Sequence, residues 1–152
     1  MKTFKQAYEV LKDAEIFHRE IADFYRHLME KSADNRTQLL LKHMIKHEVR
    51  MAKNLANYGQ VGQQKVMKTW LQYTQEESAK DFIHNLELSD PPTIKEINGM
   101  QRSVDRYFSE LYQAVYDAIE SLEVKEVFED LKEVQDKERI TLSMATNSLW
   151  DM

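Results

Sequence analysis

The sequence predicts an all-α protein, an up-down bundle of four long helices with one long crossover between the second and the third. Three observations carry that expectation. Only three glycines and two prolines punctuate 152 residues, so few positions interrupt a helix. Lys, Glu, Gln, Leu and Met, all strong helix formers, recur throughout. Long segments repeat apolar residues at spacings of three and four, the signature of a helix with one buried face.

The first helix is expected over residues 3–31, with Leu11, Ala14, Phe17, Ile21, Phe24, Tyr25 and Leu28 on its apolar face. The run SADNRT then breaks it, and Asp34 or Asn35 supplies a side-chain cap for the next helix. The second helix is expected over residues 37–58, its end marked by Gly59 and Gly62. The mixed stretch that follows, to Pro92, contains VMKTWLQY and ESAKDFIHNL, which read as shorter helical pieces closed by LSDPP. Trp70 and Phe82 in this crossover are expected to cover the bundle or a dimer face.

Thr93-x-x-Glu96 has the form of a capping box and opens the third helix. Val104, Phe108, Leu111, Val115, Ile119 and Leu122 lie on one face of it. The fourth helix is expected over residues 124–149. Short links join the first helix to the second and the third to the fourth, so each pair forms an antiparallel hairpin, and the long link spans the bundle. Residues 1–152 read as one domain.

The formal net charge is −5, with basic and acidic residues interleaved. No basic patch suited to nucleic acid or to a membrane surface emerges. No apolar run approaches the roughly 20 residues that cross a bilayer. The N-terminal MKTFKQAYEVLKDAE has no secretory core, so a cytoplasmic protein is expected. There is no cysteine, which leaves His, Glu, Asp and neutral oxygens as the only ligands for a metal. A Gly-rich phosphate loop, a Gly-x-Ser-x-Gly elbow and a His-Glu-x-x-His motif are all missing from the sequence.

Against this background a few polar residues stand on apolar faces. Leu41, Met44, Met51, Ala52 and Leu55 fall on one side of the second helix, with Glu48 at the centre of their arc. A lone carboxylate costs several kcal/mol or more to bury, so Glu48 is expected to be paired, neutralised or bound to a metal. In the fourth helix the seam Val124, Phe128, Leu131, Gln135, Glu138, Leu142, Ala145 and Leu149 is interrupted by the two polar residues Gln135 and Glu138. The two helices echo each other: Leu41, Met44, Glu48 and Met51 have the spacing of Phe128, Leu131, Gln135 and Glu138. His18 lies within the apolar arc of the first helix, with Glu15 one turn before it at the edge. His43 and His47 fall toward solvent, with a subunit contact as an alternative for His47, and Met44 and Met51 read as core.

HREIADFYRHL, HEVRMAKNL and VFEDLKEVQDKERITL together resemble helices of the ferritin-like, rubrerythrin-type proteins. The resemblance implies a four-helix bundle holding two irons between a Glu from each of two helices and a Glu-x-x-His from each of the other two. It also implies a homodimer. Carried over by position, the first-helix Glu becomes His18, and the second-helix pair becomes Glu48 and Met51. The third-helix Glu, taken seven residues before Tyr116, becomes Ser109, and the fourth-helix pair becomes Gln135 and Glu138. The two-iron site is therefore mostly lost or altered.

Two readings follow. In the first, the bundle is non-catalytic, a binding or structural protein with an unidentified protein partner, and carries no metal. His18 then pairs with Glu48 or Glu138 while Gln135 donates its amide, and the remaining carboxylate takes a proton through a raised pKa or a bond from Tyr25, Tyr112 or Tyr116. In the alternative, the protein binds iron or manganese through His18, Glu48 and Glu138, with Glu15 and Gln135 nearby, as an oxidase, a peroxidase or a metal-handling protein.

Overall fold

The structure, a computed structural model, describes residues 2–61, 67–74 and 79–150. Strand β1 (Lys2–Gln6) leads into helix α1 (Ala7–Lys31), and α2 (Asn35–Val61) follows after a short break. Strand β2 (Trp70–Thr74) and the short helix α3 (Ala79–His84) occupy the crossover. Helices α4 (Ile94–Ala118) and α5 (Leu122–Trp150) complete the chain.

The expected mostly helical chain with four long helices is present. Helix α1 packs along α2, α4 against α5, and α2 against α5. Their buried side chains belong to one hydrophobic cluster, in which Leu11, Ile21, Leu41, Met44, Phe108, Phe128 and Leu131 are almost fully enclosed. Helix α4 lies across from α1 through aromatic contacts: the Phe17 ring is 5.1 Å from Phe108 and 4.8 Å from Tyr107. No helix among the described residues is long and apolar enough to cross a membrane.

The caps largely follow the sequence. Asp34 accepts hydrogen bonds from the Thr37 backbone N–H and hydroxyl at 3.1 and 2.7 Å, closing the start of α2. These bonds hold its carboxyl below the usual range. At α4 the Glu96 backbone N–H donates to Thr93 Oγ1 at 3.1 Å, and Thr93 N–H donates back to the Glu96 carboxylate at 2.9 Å. That is the expected capping box. With Ser89 also donating, the Glu96 pKa falls to about 2.

Four local expectations are corrected. Residues 3–6 are not helical: β1 pairs antiparallel with β2 in the register Phe4↔Gln72 and Gln6↔Trp70. VMKTWLQY holds this partner strand instead of a helical piece. Trp, Tyr and Thr favour a pleated backbone, but what decides the outcome is a partner some 65 residues away in the chain, which local periodicity cannot see. The link is continued by Ala7 N–H, which donates to the Thr69 carbonyl at 2.9 Å. Helix α2 continues through Gly59 to Val61, while Gly62 lies outside the described residues. Leu122, expected on the buried face of the third helix, begins α5 and is 77% exposed.

The other crossover expectations divide. ESAKDFIHNL does contain a helix, α3. Phe82 covers the helices, its ring 5.8 Å from Phe17 and 5.4 Å from Tyr107. Trp70 stays 64% exposed on the sheet face it shares with Phe4.

Candidate metal centre

Near the middle of the long helices the core becomes polar. Helix α1 contributes His18, α2 contributes His47 and Glu48, α4 contributes Gln101 and Asp105, and α5 contributes Gln135 and Glu138. All but Glu138 are buried. Helical periodicity places them: Leu41, Met44, Glu48 and Met51 form one stripe, all at 0% exposure, and Gln101, Asp105, Phe108 and Tyr112 form another with the same spacing of three and four.

Glu48 is bonded from two other helices. Its Oε2 meets His18 Nδ1 at 2.5 Å, and its Oε1 accepts from Gln101 Nε2 at 3.2 Å. The His18 ring lies nearly parallel to Phe108, 3.7 Å between centroids and 11° between planes, which fixes the imidazole against the carboxylate. Gln101 is oriented in turn by Tyr25, whose hydroxyl donates to Gln101 Oε1 at 2.8 Å. Asp105 Oδ1 accepts from Gln101 Nε2 at 3.1 Å and from Gln135 Nε2 at 3.3 Å.

His47 stands between carboxylates. Its Nε2 is 3.5 Å from Asp105 Oδ1 and its Nδ1 is 3.8 Å from Glu138 Oε2. These are ion-pair distances, and neither ring nitrogen makes a hydrogen bond. Glu138 Oε2 also lies 3.6 Å from Arg50 Nε. Ligand atoms of His47, Glu48 and Asp105 all lie within 4.8 Å of one another, the one such buried group among the described residues.

Burial works against the charge on both Glu48 and His47, and their neighbours outweigh it. For Glu48, desolvation raises the pKa, but the charge and hydrogen bond of His18, the charge of His47 and the Gln101 bond bring it below 4.5. For His47, desolvation lowers the pKa, but Asp105, Glu48 and Glu138 carry it above 6.5. Buried Tyr25 and Tyr112 are pushed up, by burial first and then by the Glu48 charge.

The sign of the pH dependence follows by linkage. A depressed Glu48 contributes stability that is complete above 4.5 and is lost as pH falls through its folded value. A raised His47 contributes stability that is complete below 6.5 and is lost as pH rises through its folded value. The metal-free protein should therefore be most stable between those limits. Urea unfolding in EDTA from pH 4 to 9 measures this, and stability that stays level or climbs above pH 7 contradicts the His47 assignment.

Several sequence expectations are corrected here. His47 is not at the surface but is 1% exposed, because α5 packs over that edge of α2. On α4 the residue that enters the centre is Asp105, while Ser109 is only partly buried; Asp105 precedes Tyr112 by the interval that separates His18 from Tyr25. Glu138 does not meet His18, and faces His47 and Arg50 instead. Glu15 is buried but stays out of the centre, pairing with Lys12 at 3.4 Å and Arg19 at 3.1 Å.

Three further expectations find definite outcomes. Gln135 does donate within the centre, to Asp105. His18 meets Glu48, one of the two partners expected for it. Neither Tyr25 nor Tyr112 supplies a bond to a carboxylate: Tyr25 donates to Gln101 and Tyr112 Oη makes no hydrogen bond, while the Tyr116 ring carries Lys125 Nζ 4.9 Å from its centroid. The 101–105–108–112 stripe was the signal for Asp105. His47 carried none, since its burial depends on which helix covers the arc edge.

Comparison with models of protein families, with curated proteins and with solved structures finds no match for the chain.

Proposed function

We propose that this protein is a ferritin-like four-helix bundle whose polar centre binds a single divalent metal ion, iron or manganese, through His47, Glu48 and Asp105. One observation carries the reading: three ligand atoms from these buried residues lie within 4.8 Å of one another. The orphaned atoms beside them point the same way. His18 Nε2, both nitrogens of His47, Gln135 Oε1 and Glu138 Oε2 are enclosed without a hydrogen bond, a state that folded proteins seldom leave uncompensated.

The residues do not suit the pair of irons that the resemblance implies. Met51 stands where the α2 histidine belongs, its thioether a poor ligand for hard cations, and His18 is committed to Glu48. One ion matches the donors better. An imidazole with two carboxylates suits a borderline cation, and Glu138 and Gln135 Oε1 stand within the same centre. A bound cation supplies Lewis acidity. The chain's own part is to orient Glu48 through His18 and Gln101.

The second reading is a metal-free network that sets helix register. The 2.5 Å contact of His18 with Glu48 favours it, because that pair is satisfied without a cation. Elemental analysis separates the two. Protein grown with iron and manganese supplements should carry close to one equivalent of metal, and Asp105→Asn should weaken Mn²⁺ binding by at least tenfold. Parent protein free of both metals after loading would leave only the register-setting network.

A further inference from the structure

A cavity of about 620 Å³ opens between α4 and α5 and descends to the polar centre. Its size is that of a small-molecule site. Gln101 and Asp105, both buried, line its inner part together with Met44. Arg102 of α4 and Arg139 of α5 line it from opposite helices. Ile140 and Met144 add apolar wall, and they are 56% and 67% exposed.

The charges at this opening are poorly neutralised from within the protein. Arg139 meets Asp136 only at 3.7 Å, with both side chains more than half exposed, a weak arrangement. Arg102 has no ion pair among the described residues. Two guanidiniums offered from facing helices, in a chain of net charge −5, are suited to the planar, two-oxygen geometry of a carboxylate. The inner end presents the opposite preference. Asp105 is an acceptor, so an anion is disfavoured there and a hydroxyl or amine donor is favoured.

We infer that this cleft binds a small organic acid. Its carboxylate lies between Arg102 and Arg139, its apolar body lies against Ile140 and Met144, and a donor group at its far end meets Asp105 and Gln101. The inference rests on the reading of the polar centre as a functional site, and it names the ligand class which that centre receives. Both arginines are surface residues outside the proposed ligand set, so their replacement by Gln leaves the core untouched.

The test uses three probes in calorimetric titrations: 4-hydroxybenzoate, benzoate without the donor, and phenol without the carboxylate. Each is run on the EDTA-stripped and on the Mn²⁺-loaded protein. 4-Hydroxybenzoate should bind at least tenfold tighter than phenol and tighter than benzoate, and R102Q and R139Q should each remove most of the carboxylate advantage. Mn²⁺ binding should be unchanged in both variants. Absence of binding by all three probes in both forms overturns the inference, as does 4-hydroxybenzoate affinity that is unaltered in the R102Q/R139Q double variant. Failure of the metal reading shows separately, as no uptake of Mn²⁺ by parent protein, and leaves the comparison of probes on the stripped protein intact.

Discussion

Glu48→Ala should destabilise the metal-free protein by about 3–5 kcal/mol, the usual cost of removing one partner of a buried ion pair. The carboxylate is wholly enclosed, and it accepts from His18 and Gln101 on two other helices. Its loss leaves His18 Nδ1 without its acceptor in a fully buried place, and it removes one of the charges that raise the His47 pKa. Metal binding should disappear with it. Urea unfolding in EDTA reads the first effect and Mn²⁺ titration the second.

A companion variant isolates the cause. His18→Leu combined with Glu48→Leu removes both partners together, and apolar replacement of a buried pair is often neutral or stabilising. The double variant should recover much of the stability lost in Glu48→Ala and still bind no metal. Glu48→Ala within 1 kcal/mol of the parent would refute the pairing.

Phe108→Ala should cost about 3–5 kcal/mol, as expected for truncating a fully buried aromatic side chain. Phe108 is where hydrophobic core and polar centre meet: its ring contacts Phe17, Tyr107 and Tyr112 and stacks on His18. Truncation opens a cavity beside the imidazole and frees it to rotate away from Glu48. Phe108→Leu keeps most of the volume and should cost less while still losing the stack. Thermal and urea unfolding give the stability. The His18 ring resonances give the orientation, and if they are unmoved in Phe108→Ala, the stack has no part in positioning that ring.

Much of the fold was legible because long helices declare themselves locally. The near-absence of Gly and Pro, the apolar stripes and the Thr93–Glu96 box all act within a few residues, and α1, α2, α4 and α5 lie close to where these signals put them. The first strand escaped notice because KTFKQ and WLQYT satisfy each other across the whole length of two helices. Nothing in either segment alone sets that register.

The centre divides in the same way. Periodicity alone identified Glu48, His18 and Gln135 as inward-facing, and all three are buried. It also showed that Glu138 interrupts an apolar seam. Tertiary structure decided which of these groups meet: His18 with Glu48, Gln135 with Asp105, and Glu138 with His47, while Glu15 pairs with Lys12 and Arg19 away from the centre. Helical spacing fixes the angle of a side chain about its own axis to within the width of a stripe, and for residues on a stripe's edge that angle is compatible with core or solvent. His47 is such a residue. Only the packing of α4 and α5 across that edge encloses it, and with it the group of three residues on which the proposed metal site rests.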